Sequence, residues 1–343
     1  GDKTGAGRPL DRAGPPWYDK RQIHIKGRDV MKRSLKKGRA GRIALAVLAV
    51  LLLAAAGALV FAGNYLFDFA LDPNSPGGMI GGNQNWAEEA EGTWIQENGE
   101  DRWLTSRDGL TLHALYVPQA ETSHRYVVGC HGYGSIPQLM SNSTIKFYEM
   151  GYNVLVPAAR AHEQSGGTYV SMGWLERKDI VDWVNMLVEQ DSEAEIVLYG
   201  ISMGGATVMM TAGEELLSNV KCIIEDCGYS SVWDEFAGQL DELFGLPTFP
   251  VLDAASLVSQ VRAGFGFKEA SAVEQLKKAS VPMLFIHGED DTFVPYWMLD
   301  VVYEACASPE KERLSVPGAG HGEASWEDPA LYWSTVEDFL AKH

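Results

Sequence analysis

The sequence predicts an α/β protein with a mostly parallel central sheet that is covered by helices on both faces. Short apolar runs alternate with helical patterns over most of the 343-residue chain. Most of these runs are continuously apolar, which is typical of strands buried on both faces of a sheet. Two further observations support this class. A serine stands between glycines directly after one apolar run, and an acidic cluster and a histidine follow two later runs.

The individual elements are expected in a regular order. Hairpin-like strands are expected around 93–97, 102–106 and 110–117, where Asn-Gly and Asp-Gly pairs provide turn signals. Strands of the main sheet are expected at 126–130, 153–157, 195–199, 220–224, 282–286 and 313–316. Helices are expected at 136–150, 174–189, 203–217, 296–305 and 329–341. The helical, aromatic-rich interval 230–275 breaks the alternation. It predicts a cap over the C-terminal strand ends, where ligands bind in open α/β sheets.

The charge of the chain is divided between a basic start and an acidic body. Residues 1–42 carry 13 Lys and Arg against 4 Asp and Glu, whereas the remainder carries 15 against 42. The acidic body argues against nucleic acid as a partner, because phosphate binding needs a basic surface. The four cysteines show no C-x-x-C pairing. We therefore expect free structural thiols and no metal site.

Residues 43–67 contain no charged side chain and predict a transmembrane anchor. At about 1.5 Å per residue this stretch reaches ~37 Å, enough to cross a hydrocarbon core of ~30 Å. The basic residues before it predict an N-terminus inside the cell, with the following domain on the extracytoplasmic side of the plasma membrane. Secretion after cleavage of a signal peptide near Val60-Phe61-Ala62 is the alternative, although the apolar region of a signal peptide is normally shorter.

The segments on either side of the anchor are expected to lie outside the folded domain. Residues 1–42 are interpreted as a disordered basic tail. Within it, 1–30 end just before Met31 and are excluded from the fold as added or upstream sequence. Residues 68–90, rich in Pro, Gly and Asn, are expected to form a flexible linker to a domain over 91–343.

The strongest functional signal is Ser202, which stands in the pattern G-x-S-x-G between an apolar run and a helical pattern. This is the context of a nucleophile elbow, where glycines allow the strained backbone of the serine. A serine hydroxyl is a poor nucleophile at neutral pH and needs a general base that is oriented by a carboxylate. His321 and Asp291, each after a later strand, are the candidates for these roles, with Glu289 and Asp290 as neighbouring acids.

A reaction through a tetrahedral intermediate also needs donors for its oxyanion. The backbone N–H groups of Met203, next to the serine, and of Tyr133, in the glycine-rich loop after the first main strand, are the candidates. In the cap, Trp233, Phe236 and Phe244 are the candidate substrate-binding side chains.

Four segments together resemble the α/β-hydrolase superfamily. These are H-G-x-G at 131–134, G-x-S-x-G-G at 200–205, H-G-x-x-D-x-x-V-P at 287–295 and G-x-G-H at 318–321. The chain is similar to the membrane-anchored bacterial serine hydrolases of the esterase, monoacylglycerol-lipase or serine-aminopeptidase type. The resemblance covers about 90–343 and implies an α/β-hydrolase fold. It also implies the roles given above for these residues: Ser202 as nucleophile, Asp291 as acid, His321 as base, and Tyr133 and Met203 as oxyanion donors.

One segment departs from the family pattern. Where relatives carry D-x-R-G-H-G-x-S-x-G, the segment aligned on Arg160 and His162 has Ala158 in place of the first Asp. Arg160 and His162 in this segment are therefore expected to be mainly structural residues of their loop.

We therefore expect a serine hydrolase that cleaves carboxylic esters with short to medium acyl chains through an acyl-enzyme intermediate and needs no cofactor. Its expected partners are a small-molecule acyl ester and a membrane. An amidase or aminopeptidase is the first alternative, because it uses the same three residues and an acidic body attracts cationic N-termini. A non-catalytic binding protein is a weaker alternative, because such proteins usually lose part of this motif set.

Overall fold

The computed structural model describes residues 20–79, 88 and 90–343. The chain divides into two compact units, and the boundary falls between Ala58 and Leu59. The described part of the first unit is the beginning of helix α1 (Lys20–Leu71). The second unit contains the last turns of α1 and every other described element. Within α1, Arg39–Leu71 is long and apolar enough to cross a membrane, as judged by length and composition.

Helix α1 is longer than the predicted anchor at both ends. It begins at Lys20, so residues 20–42 are helical where we expected a disordered tail; residues 1–19 lie outside the described part of the chain. No proline interrupts the helix, and most of its residues have high helix propensity. At its other end the helix continues into the predicted linker as far as Leu71, because Phe67 and Leu71 are buried in the core of the second unit. The following residues, 72–79, form turns.

The described strands form one eight-stranded sheet in the order β1-β2-β4-β3-β5-β6-β7-β8. They are β1 (Glu100–Thr105), β2 (Thr111–Val117), β3 (Arg125–Cys130), β4 (Asn153–Pro157), β5 (Glu195–Ile201), β6 (Val220–Asp226), β7 (Met283–Gly288) and β8 (Lys311–Val316). Only the pairs β1–β2 and β2–β4 are antiparallel. The other five pairs are parallel, which confirms the predicted mostly parallel sheet.

The remaining described helices all belong to the second unit. They are α2 (Trp94–Asn98), α3 (Ser141–Glu149), α4 (Glu176–Gln190), α5 (Met203–Thr211), α6 (Val232–Phe244), α7 (Thr248–Arg262), α8 (Ala272–Leu276), α9 (Trp297–Ala305), α10 (Ala324–Glu327) and α11 (Pro329–Leu340), and a 3₁₀ turn (Pro137–Met140) precedes α3. Helices α6, α7 and α8 occupy the interval between β6 and β7 where the sequence predicts a cap.

Two apolar clusters fill the space on either side of the sheet. Alternate residues of a strand point to opposite faces. In β5, Ile196 and Leu198 therefore join the cluster with α4 and α5, whereas Val197 and Tyr199 join the cluster with α3 and α11. Burial on both faces explains why the strand sequences are continuously apolar.

Two local elements differ from the prediction, in each case because of a tertiary contact. The segment expected as a strand at 93–97 is the short helix α2, in which Ile95 is fully buried and its N–H donates to Ser141 Oγ at 3.2 Å. Helix α5 ends at Thr211 rather than at 217. A Cβ at Gly213 would lie 2.2 Å from Gln275 Oε1, so the chain passes directly against α8 at this point.

Candidate active site

Ser202 lies on a sharp turn between β5 and α5. Its backbone has φ 58° and ψ −119°, a conformation that is strained for a residue with a side chain. The Ser202 N–H donates to the carbonyl oxygen of Asp226 at 2.8 Å, which ties the turn to β6. A Cβ at Gly200 would lie only 2.1 Å from the carbonyl oxygen of Gly204, so the turn closes only with glycine there. This is the geometry that the G-x-S-x-G pattern predicts.

Loops after β7 and β8 bring a carboxylate and an imidazole to Ser202. His321 Nε2 lies 2.8 Å from Ser202 Oγ, and His321 Nδ1 lies 2.8 Å from Asp291 Oδ2. Of the three adjacent acids, Asp291 is buried, whereas Glu289 and Asp290 are exposed. The structure therefore brings together the three residues that the sequence pattern selects, at the edge of the sheet where the parallel strands end.

The surroundings of Asp291 keep it ionised. Burial would raise the pKa of this carboxyl, but hydrogen bonds from His287 and His321 outweigh burial and lower the pKa to about 2. Its other oxygen accepts from the N–H groups of Phe293 and Val294 at 3.0 and 2.9 Å. The ionised carboxylate fixes the tautomer of His321, because the Nδ1 proton points at Asp291 and the Nε2 lone pair is left for the serine hydroxyl.

His287 begins the motif at 287–295, but sequence analysis assigned it no role in this site. Its ring is fully buried, and Nε2 lies 2.9 Å from the Val294 carbonyl oxygen and 3.3 Å from Asp291 Oδ2. Because a carbonyl oxygen only accepts, Nε2 carries the proton and is directed at the Asp291 loop. The four-residue spacing between His287 and Asp291 is the signal in the sequence that points to this contact.

The two candidate oxyanion donors flank Ser202. Met203 is the first residue of α5, and an N–H at this position has no partner within the helix. Gly132 lies against Ser202, since a Cβ there would be 3.6 Å from Ser202 Cβ. The next residue, Tyr133, forms no backbone hydrogen bond through its N–H among the residues that the structure describes. Unpaired N–H groups beside the serine are the feature that an oxyanion requires.

The loop that carries Tyr133 is held from two directions. The Tyr133 hydroxyl donates to the carbonyl oxygen of Ala70, in the last turn of α1. The N–H of Gly134 donates to His162 Nε2 at 3.1 Å, while His162 Nδ1 donates to the Arg160 carbonyl at 2.9 Å. The end of α1 and the segment around residue 160 therefore both position the candidate oxyanion loop.

Two buried neutral histidines join this loop to its neighbour. Burial lowers the pKa of His131 to about 4 and that of His162 to about 3. His131 Nδ1 donates to the Gly132 carbonyl at 2.8 Å, and its Nε2 accepts from the N–H of Ala159 at 3.0 Å. The two rings lie 5.1 Å apart in an edge-to-face arrangement. Both accepting nitrogens must stay unprotonated for these bonds to persist.

Arg160 is engaged entirely by carboxylates. Its guanidinium donates to Asp179 at 2.6 and 2.7 Å and to Asp108 at 2.6 and 3.0 Å, and the side chain is buried. Such a doubly bidentate arrangement fixes the loop and leaves the guanidinium no free face for a ligand. The geometry agrees with the expected structural role of this residue.

An open cleft of about 380 Å³ lies beside the Ser202 hydroxyl. Its walls include Tyr133, His321 and three partly exposed apolar side chains, Leu139, Phe293 and Trp326. None of the residues that line this cleft is Asp, Glu, Lys or Arg. The cleft therefore offers a surface next to Ser202 that carries no Asp, Glu, Lys or Arg and combines polar with apolar side chains.

The three aromatic residues that we expected at the substrate site lie elsewhere. Trp233 is covered by the ammonium group of Lys268, 3.7 Å from the ring centroid. Phe236 is buried and packs edge-on against Phe267, and Phe236 and Phe244 line a separate apolar pocket beside the end of α1. They are not among the residues that line the cleft beside Ser202, because they pack within the helical segment and, in the case of Phe244, against Phe69 of α1.

Comparisons with known proteins agree with this arrangement. YqkD of Bacillus subtilis is 27% identical over 241 residues, which cover 69% of this chain and 77% of that protein. A thermostable monoacylglycerol lipase of Bacillus sp. H-257 is 24% identical over 65% of this chain and 93% of the lipase. An esterase of Pyrococcus furiosus has the same fold, with a TM-score of 0.59 at 24% identity over 71% of this chain and 90% of that one.

The family model for the prolyl oligopeptidase family matches residues 138–343, more than half of the chain. The matched region includes the serine turn and the loops of Asp291 and His321. With the mostly parallel sheet and the fold shared with the esterase, it confirms the α/β-hydrolase fold that the motifs predict. The chain therefore belongs to the prolyl oligopeptidase family of α/β-hydrolases.

Proposed function

We propose that this hydrolase cleaves carboxylic esters, with Ser202 as nucleophile, His321 as general base and Asp291 as the carboxylate that orients the base. The observation that carries this proposal is the unbroken series of hydrogen bonds from Ser202 Oγ through both nitrogens of His321 to Asp291, each at 2.8 Å. Nucleophile, base and orienting group in this order are what acyl transfer requires.

In the proposed mechanism Ser202 Oγ attacks the carbonyl carbon of the ester while His321 Nε2 takes the hydroxyl proton. The negative charge that forms on the carbonyl oxygen is stabilised by the N–H groups of Met203 and Tyr133. His321 then gives the proton to the leaving alcohol, and an acyl-enzyme remains. Water attacks the acyl-enzyme with His321 again as base, and the carboxylic acid leaves. Asp291 stabilises the imidazolium in both steps.

The cleft favours an acyl group without charge. Leu139, Phe293 and Trp326 present apolar surface beside the nucleophile, where a short or medium acyl chain gains from leaving water. Phe293 also packs against the His321 ring, with centroids 4.9 Å apart, so the acyl group and the base share one apolar wall. These three side chains take the role that we expected for the aromatic residues of the cap.

An amidase or aminopeptidase is the second candidate, and membership of the prolyl oligopeptidase family favours it. An aminopeptidase would bind a free α-amino group, which requires a carboxylate near the nucleophile. The residues lining the cleft include no Asp or Glu. The electrostatics of the cleft therefore support an ester or an uncharged amide over a peptide with a free N-terminus.

We also propose that α1 anchors the protein in the plasma membrane as a single span, with the N-terminus inside and the hydrolase domain outside. The apolar stretch of α1 and the basic residues before it support this orientation. Secretion after cleavage of the apolar segment is the alternative. Protease treatment of intact cells, followed by detection of the domain, distinguishes an exposed anchored domain from one on the inside.

The test of the activity uses p-nitrophenyl acetate, butyrate, octanoate and palmitate together with aminoacyl anilides. We expect turnover of the shorter esters, no turnover above background in Ser202→Ala, and labelling of Ser202 by a fluorophosphonate. Ser325→Ala is the matched control, because Ser325 lines the same cleft. Preferential anilide cleavage would favour the second candidate. Equal activity of wild type and Ser202→Ala would contradict the mechanism.

A further inference from the structure

The helical segment between β6 and β7 exposes several large apolar side chains. Five of them are between 40% and 79% exposed: Leu243, Leu246, Phe249, Leu257 and Val261. We call this group the apolar face. It lies on α6, on the turn after it and on α7. Single exposed apolar residues are normal on a protein surface, but Leu257 and Val261 lie four residues apart and so on one side of α7, and neighbouring exposed apolar side chains indicate contact with a partner or a membrane.

The last turns of α1 pack directly beside the apolar face. Gly63 of α1 approaches α7 so closely that a Cβ there would lie 2.9 Å from the backbone of Ala254. Leu257 and Val261 follow Ala254 by three and seven residues and therefore lie on the same stripe of α7. A second contact joins α1 to the end of α6, where Phe69 and Phe244 meet edge to face with centroids 5.4 Å apart.

The contact with α1 is reinforced at the end of α7. The guanidinium of Arg262 donates to Asn64 Oδ1 at 3.2 Å and lies 2.7 Å from Asp68 Oδ1. The same part of α1 exposes Val60, Phe61 and Tyr65. Apolar exposed side chains of α1 and of α7 thus occur on both sides of a tightly packed helix contact.

The position of this contact along α1 coincides with the expected end of the membrane span. The uncharged stretch begins at Ile43. At about 1.5 Å per residue, a hydrocarbon core of ~30 Å is crossed in roughly 20 residues, which ends the span near Ala62. Gly63, the next residue, is the one that touches Ala254. The residues of α7 around Ala254 are therefore expected at the boundary of the bilayer.

The charge distribution also fits a membrane surface. Residues 43–343 carry 42 acidic against 15 basic side chains, so most of this region is repelled by anionic lipid headgroups. The segment 243–261 contains one charged residue, Asp253, and its carboxylate lies 3.3 Å from the ammonium group of Lys268. The apolar face is thus a part of the acidic domain that can approach a bilayer without electrostatic cost.

We propose that the apolar face rests in the interfacial layer of the bilayer that α1 spans, so that α6 and α7 are attached to the membrane as well as α1. This inference rests on the anchoring part of the proposed function. It also connects the membrane to the cleft, because Gln239 of α6 donates to the carbonyl oxygen of Phe293 at 3.2 Å, and Phe293 lines the cleft beside Ser202.

The test places a fluorescent reporter on the apolar face of the full chain in vesicles of phosphatidylcholine and phosphatidylglycerol. The four native cysteines are buried, so a cysteine introduced by Leu257→Cys is the one that takes a polarity-sensitive thiol dye. Leu217→Cys is the matched control, because Leu217 is also exposed but precedes β6, at the opposite edge of the sheet from Ser202. We expect the dye at 257 to emit at shorter wavelength in vesicles and to be quenched by nitroxide-labelled lipid, whereas the dye at 217 keeps its emission in water.

Three outcomes would overturn the inference. If lipid quenches the dye at 257 no more than the unquenched dye at 217, and alkaline carbonate does not extract the chain from the vesicles, the apolar face lies outside the membrane although the anchor is inserted. Extraction of the chain by carbonate refutes the anchor as well. Emission of the dye at 257 at shorter wavelength without quenching by lipid, together with disulfide crosslinking between Leu257→Cys chains, would show that a second copy covers the apolar face.

A charged variant gives an independent readout. Leu257→Glu combined with Val261→Glu alters exposed side chains only, so we expect unchanged turnover of water-soluble p-nitrophenyl butyrate. Turnover of a long-chain ester dissolved in the bilayer is expected to fall severalfold, because the charged face no longer enters the interface. Equal loss, or no loss, on the two substrates would contradict the inference, whatever the activity of Ser202 itself.

Discussion

The elbow glycine Gly204 is the position where one added methyl group should do most damage. A Cβ there would lie 1.9 Å from the carbonyl oxygen of Cys130 and 2.9 Å from that of His131. To bring this distance to ordinary van der Waals contact, α5 and β3 must separate by about 1.5 Å. We expect Gly204→Ala to lower the free energy of unfolding by about 3 kcal/mol. Activity should fall by about 10²-fold, because Ser202 and Tyr133 lie on opposite sides of this contact.

Gly238→Ala is the matched control for this substitution. Gly238 lies in α6, and a Cβ there would meet nothing within 4 Å. Alanine stabilises an exposed helix by roughly 0.5–1 kcal/mol relative to glycine, so the control should be at least as stable as wild type and equally active. Urea unfolding in detergent and turnover of p-nitrophenyl butyrate measure both effects. A Gly204→Ala variant with wild-type stability and turnover would refute the close approach of α5 to β3.

Three further predictions test the surroundings of the serine. Asp291→Asn should lower kcat by about 10⁴-fold while the protein stays folded by circular dichroism, and a loss below tenfold would show that the carboxylate does not orient the base. Tyr133→Phe removes the donor to Ala70 and should lower kcat by about tenfold at constant KM in steady-state kinetics; unchanged kcat would make this contact irrelevant to the oxyanion loop. His131 and His162 have lowered pKa values, so the unfolded chain binds protons that the folded chain does not, and stability is lost as pH falls below about 6.5. At pH 5 each of these buried histidines should lower the free energy of unfolding by about 2 kcal/mol. The His162→Gln variant should therefore lose about 2 kcal/mol less than wild type in urea unfolding between pH 7.5 and pH 5. An equal loss in wild type and variant would contradict the assignment.

The motifs are a good guide to the centre of the site because each one is local. The glycines around Ser202 are required by a turn of five residues, and the histidine and the acids follow apolar runs directly in sequence. Parallel strands end at a common edge, so residues that follow different strands can be assigned to one place from their positions in the sequence alone. The choice of Asp291 among three acids agrees with its burial and its contact with His321.

The positions of the aromatic residues between β6 and β7 could not be predicted in the same way, because an apolar pattern does not specify which surface a side chain packs against. Trp233, Phe236 and Phe244 have the composition of a substrate pocket, but they pack against Lys268, Phe267 and Phe69 instead. Leu139 and Trp326 lie in segments without a distinctive pattern, and they reach the cleft only because two loops converge beside Ser202. A side chain that lines a cleft and one that closes a helix contact look alike in sequence.

The sequence by itself determined the α/β class, the apolar span and the residues of the candidate triad, because these depend on short-range periodicity and on motifs with strict local geometry. Only the tertiary structure decided that His287 contacts Asp291, that His131 and His162 hold the candidate oxyanion loop, and that Ala70 at the end of α1 accepts from Tyr133. These contacts join residues from different elements, in most cases distant in the chain. Their distances follow from how the helices and loops pack on the sheet, which no local pattern encodes.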